Sequence, residues 1–307
     1  MLSDHPFQLP AHVIEKAKAL DPVTMAVAGA DHPVALESAI RAAEAGLIQP
    51  ILVGSGKEIE RIAKENAWDI RDMRIVDADP EEATAKAAAK LATLGEAKAL
   101  MKGQIHTDNL MRAVLNRDAD LRTGRRVSHV FHMTAPGSDR ELMITDGAVN
   151  VAPDEKTMMD IVINAVELAQ ALDIAQPKVA LLSGSESVIE SMPTTLLAAR
   201  IRDRAKDEIA GAHVDGPFAL DNAVSPDAAK LKGINSPVAG QADILAVPNI
   251  EMGNALFKSL VYFRSALAAG VVLGARVPIV LTSRADPPEA RLAAAAIAQI
   301  RAGFTPS

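Results

Sequence analysis

The 307-residue chain contains no cysteine, which excludes disulfides, thiolate metal sites and a cysteine nucleophile. Aromatic residues are scarce, with one Trp, one Tyr and six Phe, while alanine is abundant, as suits helices packed on a sheet. Basic residues are outnumbered, 32 Lys and Arg against 39 Asp and Glu, for a formal net charge of -7. A general nucleic-acid binder is therefore not expected, and any polyanionic ligand must meet a local basic patch. No uncharged apolar run approaches the ~20 residues that a membrane span needs. The opening Met1-Leu2-Ser3-Asp4-His5-Pro6 has neither the basic start nor the apolar core of a secretory signal. A cytoplasmic chain with no membrane contact is the expectation.

What is present is a regular alternation of short apolar runs with helical patterns. Runs such as Val23–Ala30, Ala99–Met101, Lys178–Leu182 and Pro278–Leu281 read as strands; stretches such as His32–Ala45, Asp154–Leu172 and Met252–Ala269 read as helices. This alternation implies an α/β protein with mainly parallel sheets and helices on both faces. The strands are too many for one ordinary sheet, and the length suffices for two cores. Two α/β/α domains are expected, 1–150 with 271–307 and 151–270, the boundary lying near Asn150–Asp154 and the return near Gly270.

Two motifs that invite a function fail on detail. Val53-Gly54-Ser55-Gly56-Lys57 resembles a phosphate-binding loop, but the first glycine of that motif would fall at Ile51, and Glu58 stands where a Mg²⁺-binding hydroxyl belongs. His129 and His132 suggest a metal pair, yet residues three apart on a strand face opposite sides. No metal site is expected.

The stretch with most chemistry is Pro278-Ile279-Val280-Leu281-Thr282-Ser283-Arg284-Ala285-Asp286-Pro287-Pro288-Glu289. It reads as a buried strand, then hydroxyls and an arginine, then a helix opened by prolines, with Asp286 placed to cap it. Strand C-termini beside helix N-termini are where open α/β sheets bind ligands, and anions are favoured there. Other strand ends carry similar polar-glycine loops: Met101-Lys102-Gly103-Gln104, Thr145-Asp146-Gly147-Ala148-Val149-Asn150, Leu182-Ser183-Gly184-Ser185 and Pro248-Asn249-Ile250-Glu251-Met252-Gly253-Asn254. Between Lys102 and Arg126 a basic cluster that includes Arg125 offers phosphate ligands.

Taken with Leu121-Arg122-Thr123-Gly124-Arg125, Asp215-Gly216-Pro217 and Ser236-Pro237-Val238-Ala239-Gly240, these stretches resemble the phosphate acetyl/butyryltransferase family, in the family's order from about Ala99 to Leu292. The wording Arg-Thr-Gly-Arg and Ser-Arg-Ala-Asp is most similar to its butyryltransferase-like branch, with no hydratase segment expected ahead of it. The resemblance implies an isocitrate/isopropylmalate dehydrogenase-like fold with an interdomain cleft, a homodimer or higher homo-oligomer, and no cofactor, coenzyme A being a substrate. It implies reversible transfer of a short acyl group, acetyl or butyryl, between coenzyme A and phosphate, through acyl-CoA and acyl phosphate. Ser283 and Arg284 match the family's active-site pair. Asp286 and Glu289 are the carboxylates available as base, because Ala290 stands where acetyltransferases carry an aspartate. Lys102, Gln104, Arg125, Asp146, Asn150, Ser183 and Asn254 are the expected substrate contacts. Two alternatives remain at this point: a non-catalytic regulator binding acyl phosphate or coenzyme A, and an NAD-dependent dehydrogenase of the same fold class.

Overall fold

The computed structural model describes every residue except Met1, Leu2, Asp4, Asp139, Arg284, Ala285, Pro306 and Ser307. The chain forms two compact units, one of Leu9–Arg125 with Ala269–Thr305, the other essentially Arg126–Ala268.

The first unit opens with α1 (Ala11–Lys18), then alternates β1 (Val23–Ala28), α2 (Pro33–Glu44), β2 (Ile48–Gly54), α3 (Gly56–Glu65), β3 (Arg74–Asp77), α4 (Glu81–Thr93), β4 (Ala99–Lys102) and α5 (Thr107–Leu115). The strands are short apolar runs, and Met25 to Ala28 of β1 are fully buried. β1 lies between β2 and β4, parallel to both, and β3 adds beyond β2. Burial on both faces accounts for runs without polar alternation. Proline at its first position starts α2, with His32 as the capping residue.

The second unit holds β5 (Ser128–Thr134), β6 (Leu142–Thr145), α6 (Glu155–Ala171), β7 (Lys178–Leu182), α7 (Pro193–Glu208), β8 (His213–Phe218), α8 (Leu220–Val224), α9 (Pro226–Leu231), β9 (Ile244–Ala246) and α10 (Ile250–Arg264). β5 and β6 are antiparallel; β6, β9, β7 and β8 then run parallel in that order. Phe131, Ile144, Leu182, Phe218 and Leu245 are among the buried residues of its core. The crossing at Arg125/Arg126 comes ahead of the boundary near Asn150–Asp154 suggested by sequence. The reason is pairing: β5 bonds to β6, and β6 to β9, so both belong with the later strands.

The chain re-enters the first unit within β10 (Leu267–Leu273), followed by β11 (Ile279–Val280) and α11 (Pro288–Gly303). β11 is antiparallel to β10 and parallel to β4. Buried Gln299 of α11 donates to the carbonyls of Ala17, Leu20 and Asp21, closing the end of α1. The helix expected over Met252–Ala269 stops at Arg264. Ser265 adopts a left-handed conformation there (φ 49°), which ends the helix, and the apolar run after it joins the sheet instead. Among the described residues no helix is long and apolar enough to cross a membrane.

Candidate active site

Register places the first unit's polar loops together. Ile279 and Val280 of β11 lie opposite Leu100 and Met101 of β4, so Thr282-Ser283 and Lys102-Gly103-Gln104 leave the sheet side by side. β1 is the other neighbour of β4, and the first turn of α2 follows it. These ends enclose a cavity of about 140 Å³ whose polar wall includes His32, Ser38, Lys102, Gln104, Ser283 and Arg291, with Val34, Ala35 and Met101 as apolar lining. The loops pack tightly at one point. A side-chain carbon at Gly103 would meet the Gly29 carbonyl, 2.8 Å from its carbon and 2.9 Å from the Ala28 oxygen, so only glycine fits.

Around this cavity the charges are held by backbone as well as by one another. Lys102 donates from Nζ to the carbonyls of Gly103 at 3.1 Å and Ile105 at 3.3 Å. The Asp286 carboxylate accepts from the Ser283 N–H at 2.6 Å, and the Asp286 N–H donates to the Ser283 carbonyl at 3.2 Å. Pro287, not Asp286, occupies the cap position of α11, which corrects the expected capping role. Asp286 lies one residue ahead of the cap, and its carboxylate accepts from the Ser283 N–H instead. Burial pushes the Asp286 carboxyl above its ordinary 3.8, against the downward pull of the Ser283 N–H, Arg291 and Lys102. Burial likewise pushes the Arg291 guanidinium down, opposed by Asp286 and Glu37.

Of the residues singled out by sequence, Lys102, Gln104 and Ser283 share this cavity, with Asp286 bonded to Ser283. Arg284 lies outside the described residues. Glu289, in the first turn of α11, does not line the cavity. Arg125 does not line it either: Thr123 donates to the Gly274 carbonyl at 2.6 Å and Arg122 bridges to Ala275, which fixes that stretch beside the β10–β11 connection, at the end of β11 remote from Ser283. His32, Ser38 and Arg291 were not found by sequence reasoning. His32-Pro33 after the β1 run was the available signal, being a polar residue at a strand end that opens a helix.

The second unit assembles its polar loops separately. Buried Asp146 accepts from the N–H groups of Ala148, Val149 and Asn150 and from the Asn150 side chain at 2.7 Å; that amide also donates to the Val127 carbonyl. Asp146 and Asn150 therefore shape the loop after β6. Because β6 and β9 are neighbours, this loop meets the start of α10, where Gly253 sits against Gly147 and half-buried Asn254 follows. Asn249 caps α10, accepting from the Met252 N–H at 2.9 Å. Ser183 is buried and shares a 2.7 Å hydrogen bond with Thr194.

The phosphate-loop-like stretch has a structural use. The Ser55 and Gly56 N–H groups, which a phosphate-binding loop would offer to its ligand, donate to Asp31 at 3.2 Å and Asp77 at 2.7 Å. His132 lies 2.8 Å from Glu141, and His129 packs with its ring centre 4.1 Å from that of Phe131.

Comparison with known proteins follows the same lines. The family described as phosphate acetyl/butaryl transferase matches residues 81–299. A phosphate acetyltransferase of Rhizobium meliloti is 46% identical over 94% of this chain and 92% of its own length; a phosphate butyryltransferase of Clostridium beijerinckii is 41% identical over 94% and 96%. The solved branched-chain phosphotransacylase of Enterococcus faecalis superposes with a TM-score of 0.82 at 34% identity, over 92% of this chain and 100% of that one. The isocitrate/isopropylmalate dehydrogenase-like fold is thereby corrected. Phosphotransacylase structures reach TM-scores of 0.81–0.83, whereas 4-hydroxythreonine-4-phosphate dehydrogenases reach 0.54–0.58. That expectation came with the family resemblance; the alternation of strands and helices by itself gives only the α/β layers. On sequence and structure together, the chain belongs to the phosphate acetyl/butyryltransferase family.

Proposed function

We propose that the chain transfers a short-chain acyl group reversibly between coenzyme A and inorganic phosphate, at the cavity where β4, β11 and α2 meet. The observation that carries the residue roles is the convergence of Lys102, Ser283 and Arg291 on one cavity, with the half-buried Asp286 carboxylate bonded to Ser283. Lys102 and Arg291 hold the phosphoryl group of an acyl phosphate, and Arg284 joins them by its match to the family pair. The thiol of coenzyme A, with an ordinary pKa of about 8.5, gives its proton to Asp286, whose burial makes it a stronger base than an exposed aspartate. Sulfur attacks the carbonyl carbon, and the Ser283 hydroxyl donates to the oxyanion; one such donor is typically worth ~3–4 kcal/mol. Collapse breaks the bond from carbon to the phosphate oxygen, and phosphate leaves as the anion that Lys102 and Arg291 stabilise.

Asp286 is favoured as base because Ala290, at the position of the acetyltransferase aspartate, is 1% exposed inside α11. Within the second unit, Asp146 and Asn150 serve by fixing their loop. A homodimer is the working form.

Release of coenzyme A from acetyl-, propionyl- and butyryl-CoA, with and without phosphate, tests the activity. Phosphate-dependent release with intersecting initial-velocity lines is expected. Release that ignores phosphate would remove the assignment, and parallel lines would replace direct attack by an acyl-enzyme.

A further inference from the structure

The cavity wall contains a histidine with one nitrogen already committed. His32 closes β1's exit and caps α2: its Nδ1 accepts from the Val34 N–H at 3.3 Å, and its own backbone is extended (φ −146°, ψ 139°), as a capping residue requires. An imidazole that accepts through Nδ1 must, when neutral, carry its proton on Nε2. The cap therefore selects the tautomer whose N–H is at Nε2, away from the nitrogen that the helix end engages, in a residue that lines the cavity.

We propose that His32 is a catalytic hydrogen-bond donor, its Nε2–H meeting the acyl carbonyl oxygen as that oxygen becomes the oxyanion. The inference rests on acyl phosphate binding in this cavity. Its chemistry differs from that of Lys102 and Arg291. Those two carry full charge and suit the phosphoryl group, which is charged before and after transfer. A neutral donor fixed by a helix end is matched to an oxygen that gains charge only in the transition state, so it lowers the barrier without tightening the ground state. No proton leaves His32 at any stage; the sulfur–carbon bond forms, the carbon–oxygen bond to phosphate breaks, and the thiol proton goes to Asp286 as before.

The test is His32→Asn, because asparagine is as good a helix cap and its short side chain withdraws the donor from the cavity. The expected result is a kcat lower by about 100-fold, with KM for coenzyme A and the thermal midpoint unchanged. A kcat within about twofold of the parent, in a variant with the parent midpoint, overturns the proposal. Should the variant unfold, ¹⁵N-histidine NMR of the unaltered protein decides. The His32 ring must be protonated at Nε2 only, and that resonance must shift with saturating acetylphosphonate, which keeps the carbonyl and phosphoryl groups but transfers nothing. A doubly protonated ring, or no shift, overturns it. Lys102→Ala is run in parallel. If that variant retains full transfer, the cavity itself was misassigned; if it loses transfer while His32→Asn does not, only the histidine's role falls.

Discussion

Asp286 is subject to opposing demands: its burial raises the cost of ionisation, while the Ser283 N–H, Arg291 and Lys102 favour the charged form, and burial wins. A folded-state pKa raised above the unfolded one means that the folded protein binds the proton more tightly. The resulting stability is complete below about pH 3.8 and is lost as pH rises through the raised value. At neutral pH the ionised carboxylate is thus a net cost to the fold, which its proposed role as base would account for. Asp286→Asn keeps an oxygen to accept from Ser283 and removes the charge. The thermal midpoint at pH 7 is expected to hold or rise, while kcat falls by about 100-fold or more. The acid limb of kcat/KM, set by Asp286 in the parent, should disappear. A lowered midpoint with near-parent kcat would assign the residue to structure and the base elsewhere.

At the scale of elements, the seat of α10 depends on glycines at both sides of one contact. A side-chain carbon at Gly253 would lie 2.7 Å from the Cα of Gly147, 2.9 Å from a methyl of Val247 and 3.1 Å from the Asp146 carbonyl oxygen. None of these can withdraw, since Asp146 is fixed by its loop's own N–H groups. Gly253→Ala is therefore expected to cost about 1–3 kcal/mol in urea unfolding. Parent stability would mean that the α10 contact is looser than drawn.

Elements whose limits were set by local chemistry were legible in sequence. Lys178–Leu182 has the limits its sequence suggests, and the expected helix Asp154–Leu172 differs from α6 only by counting its two capping residues. Where alanine-rich apolar residues follow a helix, as at Ala266–Ala269, helix propensity and buried strand give the same signal, and only sheet pairing decides. The site divides along the same line. Lys102 and Gln104 were legible because they stand at the exit of β4, and Ser283 because it follows β11. His32 was not, because β1 and β4 are neighbours in the sheet while β2 and β3 come between them in the chain. No local pattern records that adjacency.

For the whole molecule, the asymmetry of the two units has an experimental consequence. One consists of the long segment Arg126–Ala268 with the short Met1–Gln8; the other is made from two long pieces of chain, Leu9–Arg125 and Ala269–Thr305. The long segment of the former has what an independent fold requires. Its strands β5 to β9 pair with one another, its core gathers Phe131, Ile144, Phe218 and Leu245, and Arg140 donates to the carbonyls of Val224, Gly240 and Ala242 across the loops around that core. Its length is within the range where single domains unfold in one step. The excised segment 126–268 is therefore expected to fold, with a single urea transition whose midpoint agrees between near-UV and far-UV circular dichroism. It should release no coenzyme A from acyl-CoA, because Lys102, Ser283, Asp286 and His32 all belong to the other unit. Far-UV signal without near-UV signal, together with strong binding of a hydrophobic dye, would describe an expanded state. That result would mean the segment's packing is specified only when the two flanking pieces are present, and that the division into units is one of contacts but not of stability.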